Sequence, residues 1–146
     1  MKQVRTLRGV ATGSEKKYIL QNDLRNVGWR VTKFYLWPNN MDANNYCWGK
    51  LWIGDDQGGS LGFSDAADNR AIAWGAAGGG QPAPGSHPAS RWSIIDPDHI
   101  ITNTLMIHSG SAESIAYLVE LEMTALTDDQ QVMALIKERS QDDPTG

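Results

Sequence analysis

From Ser114 to Leu126 the chain alternates with period two: Ile115, Tyr117, Val119, Leu121, Met123 and Ala125 are apolar on one parity, with Glu120, Glu122 and Thr124 between them. A run of this kind is a β-strand with one face on a core and the other toward water. It ends at Thr127-Asp128-Asp129-Gln130, a capping box in which the Thr127 hydroxyl can accept the Gln130 backbone N–H while two aspartates meet the positive end of a helix. A helix is therefore expected over 128–139. Val132, Met133, Leu135 and Ile136 cluster on one of its faces, and Lys137 and Arg139 fall in its last turn. Val132, Leu135 and Ile136 are expected to dock on the rest of the domain or on a neighbouring subunit, because an isolated helix of this length is marginal in water.

The remainder reads as short strands separated by Gly, Asn, Asp and Pro clusters. Residues 4–12 form an edge-type strand, 17–20 a second, and 28–37 a strong third with Trp29, Val31, Tyr35 and Trp37 on one face. Residues 46–53 carry aromatic and aliphatic side chains on both parities, as a strand covered on both faces would. Fragments at 61–63 and 71–74 precede a stretch, 75–90, dense in glycine and proline and read as one long loop. Strands follow at 91–95 and 100–108, joined through the turn Asp96-Pro97-Asp98. No βαβ alternation is present, so a doubly wound sheet is not expected. The fold class is all-β: an antiparallel β-sandwich, jelly-roll-like, with one C-terminal α-helix. Residues 1–140 are read as one domain and 141–146 as a flexible tail.

At 146 residues the chain can bury a sizeable core without disulfides. Its one cysteine, Cys47, lies between Tyr46 and Trp48 and reads as a buried thiol. No long apolar run and no signal-peptide core are present, so neither a membrane span nor export is expected. The formal charge of −4 disfavours a dedicated nucleic-acid binder. The charge is uneven, however: residues 1–33 hold eight Lys and Arg against Glu15 and Asp23, an excess of six. Arg5, Arg8, Lys16 and Lys17 are thus either a solvated face or a surface that meets an acidic neighbour, whether nucleic acid or another subunit.

Signals for chemistry are weak. His87, His99 and His108 lack zinc-site spacing, and His99, Asp96 and Asp98 fit turn and capping roles. Asp55-Asp56-Gln57-Gly58 and Asp65-Ala66-Ala67-Asp68-Asn69 read as solvated turns rather than calcium loops, and Gly78-Gly79-Gly80 lacks the Gly-Lys-Ser/Thr of a phosphate loop. No catalytic, cofactor-binding or metal-ligating residue is assigned, and no cofactor and no enzymatic activity are expected. The anomaly is six tryptophans. Trp29, Trp48 and Trp74 read as core, whereas Trp37 beside Pro38 and Trp92 beside the glycine-rich stretch are candidates to face outward as interface anchors or sugar platforms.

Arg91-Trp92 with Ile94-Ile95, then Asp96-Pro97-Asp98-His99-Ile100-Ile101, then Leu105 and Ile107, the Glu120 strand and a helix ending Lys137-Glu138-Arg139-Ser140-Gln141 resemble small β-sandwich virion proteins of marine viruses and phages. The resemblance covers roughly the last third of the chain; Ala71-Ile72-Ala73-Trp74 matches more weakly. It carries no active residue. It implies a viral structural protein, capsid or capsid-associated, made in the host cytoplasm and located in the virion, whose partners are copies of itself and other virion proteins. The alternative is a carbohydrate- or receptor-binding sandwich without catalysis, taking a host glycan. The candidate interface residues are Trp37, Trp92, Arg5, Arg8, Lys16 and Lys17.

Overall fold

The computed structural model describes residues 3–13, 15–22, 26–39, 46–54, 70–78, 91–110 and 114–139, with helix side chains to residue 133. Eight strands and one helix follow in order: β1 (Val4–Ala11), β2 (Lys16–Gln21), β3 (Val27–Pro38), β4 (Tyr46–Ile53), β5 (Ala71–Gly78), β6 (Arg91–Ile95), β7 (Thr104–Ser109), β8 (Ile115–Ala125) and α1 (Asp128–Arg139). They form two antiparallel sheets, β1-β8-β3 and β2-β7-β4-β5-β6. The fold is an all-β sandwich with a C-terminal helix. β1 pairs with β8, β2 with β7 and β4 with β5, and the continuation of β6 bridges β3 at Trp29 and Ile101. This nesting, first with last and inward, is that of a hairpin rolled into a jelly roll.

The period-two strand is the centre of the smaller sheet. β8 is bonded along both edges, to β1 from Val4↔Glu122 to Ala11↔Ile115 and to β3 from Val27↔Ala125 to Pro38↔Ile115. Its odd residues Ile115, Val119 and Leu121 are fully buried, and they meet Leu51, Ile72, Leu105 and Ile107 of the larger sheet in one core with Phe34 and Leu36. A bulge between Val31 and Lys33 leaves the Thr32 hydroxyl donating to Glu120, at 3.2 Å to the carbonyl and 3.0 Å to Oε1. Such bulges bend a strand, and this one re-aims β3 so that Val31 and Phe34 both point inward.

Two glycines admit a close contact between the sheets. Gly49 and Gly75 face each other across β4 and β5. A Cβ on Gly75 would stand 3.1 Å from Leu36 Cδ2, and one on Gly49 would stand 2.9 Å from Ile115 Cδ1, 3.2 Å from the His108 carbonyl and 3.3 Å from Leu36 Cδ2. Leu36 of the smaller sheet thus plugs a gap that only two missing side chains leave open.

This contact corrects the reading of 75–90 as loop. Gly75, Ala76, Ala77 and Gly78 are the second half of β5, paired with β4 and, to Ala77, with β6. The small size of Gly75 and Ala77 reflects packing toward the core rather than chain flexibility. Residues 79–90, the fragment 61–63 and the tail 141–146 lie outside the described residues.

The corner where the chain passes from the larger sheet to the smaller is held by His99. The Asp98 N–H donates to Asp96 Oδ1 at 2.9 Å, which shapes the Asp96-Pro97-Asp98 turn. The buried His99 ring accepts the Val31 N–H at Nε2, 3.0 Å, and donates from Nδ1 to the Asp96 carbonyl. The imidazole is therefore a neutral Nδ1–H tautomer, filling the place of a peptide group at the edge of β3. Beyond it, Trp29 and Ile101 exchange backbone bonds at 3.0 and 2.8 Å.

The capping box forms as expected. Gln130 N–H donates to Thr127 Oγ1 at 3.2 Å, and Thr127 N–H donates to Gln130 Oε1 at 3.0 Å. Docking of the helix on its own sandwich is not observed at Val132, which is 56% exposed, nor at its neighbour Met133 at 68%. The side chains of Leu135 and Ile136 lie outside the described residues. The visible tie is through Asn26, in the left-handed region with φ of 60°, whose carbonyl takes the Leu126 N–H and whose Oδ1 takes Gln131 Nε2, each at 2.7 Å.

Gly49→Ala should cost about 1–3 kcal/mol, the usual penalty for overpacking a filled site, because the His108 carbonyl cannot swing aside as a side-chain end can. Chemical denaturation checks it, and a loss inside about 0.5 kcal/mol, the scale of surface changes, would mean that the gap is slack.

Candidate functional site

Strand parity sorts the tryptophans. On β4 the odd residues Cys47, Leu51 and Ile53 join the core, so Tyr46, Trp48, Lys50 and Trp52 face outward from the five-stranded sheet. The register places Trp74 of β5 and His108 of β7 on either side of Lys50, Met106 beside Trp52, and Lys16 and Tyr18 of β2 beyond them. At the opposite edge Trp92 lies beside Ala76, and Ile94 beside Trp74. One outer face thus gathers Trp48, Trp52, Trp74 and Trp92. This corrects the core reading of Trp48 and Trp74, which are half-buried on that face; only Trp29 of the three is in the core.

At the middle of this face two cations flank one indole. Lys50 Nζ lies 4.4 Å and Arg70 Cζ 4.6 Å from the centroid of the Trp52 ring, and all three residues are buried. Each contact is a cation–π interaction of the desolvated kind, about 2 kcal/mol or more. The outward alternation Tyr46, Trp48, Lys50, Trp52 was a signal for Lys50; nothing in the sequence links Arg70 to it. The recess lined by Lys16, Trp52, Met106 and His108 is only about 10 Å³, the lower bound for one water. The indole N–H groups of Trp52 and Trp74 and the Thr104 hydroxyl are buried without a protein acceptor or donor among the described residues.

The six candidate interface residues do not form one patch. Arg5 and Arg8 are exposed on β1, and Lys16 is exposed on β2, so three of the basic residues share the side where β1 and β2 run as successive edge strands. Lys17 is half-buried on that side, its Nζ donating to the Val10 carbonyl at 3.0 Å and lying 5.7 Å from the Tyr117 ring centroid. Trp37 is half-buried on the outer face of the three-stranded sheet, beside Ala116. Trp92 is 45% exposed on edge strand β6, together with Ile94 at 60%. Arg5 and Arg8 have no ionic partner among the described residues.

Other sequence candidates are also placed. His99 and Asp96 have the turn and capping role described above. Among the described residues no group of three or more His, Cys, Asp or Glu side chains is placed to hold a metal ion, and no helix is long and apolar enough to cross a membrane. The acidic runs 55–58 and 65–69 lie outside the described residues. Glu15, at the β1–β2 turn, has its carboxyl held below the ordinary range, first by the Thr12 backbone N–H at 2.7 Å and then by the Thr12 hydroxyl at 2.8 Å.

Cys47 is fully buried, and desolvation pushes its thiol up to about 11. Between the ordinary value of 9.0 and 11, the unfolded chain gives up this proton while the folded chain keeps it, so this thiol lowers stability as pH rises through that window. An aromatic disulfide reagent should leave Cys47 unmodified in the native protein and react with one thiol after denaturation; stoichiometric native reaction would refute the burial.

The tryptophans should separate in the same way by mutation. Trp52→Ala should cost about 3–5 kcal/mol as a large buried side chain, whereas Trp92→Ser should stay within about 0.5–1 kcal/mol, near the range of surface substitutions. Thermal or urea unfolding of both variants measures the contrast, and equal losses would contradict the assignment of faces. No family model, no curated protein and no solved structure matches the chain.

Proposed function

We propose that the protein is a structural subunit of a virion, capsid or capsid-associated, that acts through contacts with copies of itself and with other virion proteins. The observation that carries this reading is where large apolar side chains remain in water. Among the described residues, Trp92 and Ile94 on edge strand β6 and Val132 and Met133 on α1 are exposed in this way at the periphery of the sandwich. Side chains of this type at an element's exposed edge are the usual anchors of protein contacts. The nested jelly-roll pairing supports the same reading by analogy of fold, and the resemblance of residues 91–141 to virion proteins points in that direction. Arg5 and Arg8 on β1, without an ionic partner among the described residues, and the acidic first turn of α1, Asp128 and Asp129, supply charges of opposite sign that can steer copies together.

A glycan-binding module is the second reading, supported by Tyr46 and Trp48, whose rings lie 6.1 Å apart and tilted by 46°, with Tyr46 45% exposed. Paired aromatic faces of this sort stack on sugar rings.

Sedimentation across protein concentration and ionic strength, with micrographs of the same samples, tests the first reading. Oligomers or particles are expected, with association weakening but not vanishing as salt screens the charges. A chain that stays monomeric throughout, and that is not taken into particles when co-expressed with virion partners, would overturn it. Specific binding on a glycan array would then favour the second reading.

A further inference from the structure

We infer that helix α1 of one copy seats on the outer face of the three-stranded sheet of a second copy. This rests on the assembly reading and names its contact. Among the described residues of α1 only Gln131 is partly covered; Asp128, Asp129, Gln130, Val132 and Met133 are exposed. The helix is about 18 Å long at 1.5 Å per residue, and one of its length has little stability of its own. It carries two repeats of one motif: Asp128 lies four residues before Val132, and Asp129 four before Met133. Each acid therefore sits one turn, about 5–6 Å, from an apolar side chain on the same face.

The outer face of β1-β8-β3 carries the matching spacing. Its register sets Val10, Ala116 and Trp37 in one row and Arg8, Leu118 and Tyr35 in the next. Val10 and Tyr35 are each 40% exposed, and Trp37 and Leu118 are half-buried. Arg8 and Val10 lie on the same side of one strand, about 6–7 Å apart, so a base stands one pleat from an apolar patch where the helix has an acid one turn from an apolar residue. Arg8, Asp128 and Asp129 all lack ionic partners among the described residues.

The helix of the same chain cannot supply this contact. Arg8 pairs with Leu118, and seven further residues of extended strand, on the order of 20 Å, separate Leu118 from the end of β8 at Ala125, just before the helix. Asp128 and Asp129 can therefore meet Arg8 only on another copy.

The test is sedimentation equilibrium on the full chain carrying Asp129→Arg, Arg8→Glu, both together, or Val132→Ser with Met133→Ser, each checked for fold by circular dichroism and melting. Each charge reversal should weaken association severalfold and the combination should restore it, as expected for a rim charge pair. The apolar pair should weaken it about tenfold or more, as loss of anchors does. Mixing a Val132→Cys copy with a Val10→Cys copy under oxidation should trap a mixed disulfide dimer; absence of that dimer counts against the contact even if a variant misfolds. Association unchanged by all the variants would overturn the α1 contact while leaving assembly in place. A wild-type chain monomeric at every concentration and salt would remove both.

Discussion

The seating of Leu36 between Gly49 and Gly75 sets how closely the two sheets can come together, and much of the interior depends on that distance. Sheets packed face to face ordinarily stand about 10 Å apart, with side chains from both filling the space. Here two facing positions contribute no side chain, and one leucine from across the core occupies the space. Ala73 and Ala77 continue the same economy of volume along β5. Leu51, Leu105 and Ile107 supply bulkier side chains to the same core from the larger sheet.

The outer face of the larger sheet is packed as well. The larger sheet buries residues of both parities on β4 and β5, so its outward side chains are also stabilising. Lys50 and Arg70 lie against Trp52 there, their charges in a buried setting where contact with an aromatic ring is worth more than at a wet surface. By contrast, the smaller sheet keeps an outer face divided between a charged end and an apolar end. Lys33 approaches Glu120 at 3.7 Å, but this pair is exposed enough that it contributes little to stability.

Local chemistry was legible in the sequence, and long-range placement was less so. The alternation of 114–126 and the reciprocal Thr127–Gln130 cap need only neighbouring residues, and both appear as expected. The β5 segment 75–78 was misread because glycine has the same appearance in a flexible loop and under a leucine from the opposite sheet. Trp48 and Trp74 were assigned to the core because strand aromatics are usually buried; the deciding fact is the parity of Cys47 and Leu51, which the pairing of β4 settles. The contact of Arg70 with Trp52 joins positions 18 residues apart through tertiary structure alone. Val132 fits an amphipathic pattern, yet that pattern does not say which surface covers it.

The nested pairing also sets an order of events. β1 can find its place only against β8, more than a hundred residues later in the chain, and β3 likewise borders β8 for nearly its whole length. During synthesis these two strands emerge long before the strand that joins them, so the smaller sheet must wait while the larger one still lacks β7. Contacts of such high sequence separation close slowly, and unpaired strand edges attract one another meanwhile. The exposed Arg5, Arg8 and Lys16 put charge on those early edges, the feature that opposes edge-to-edge pairing.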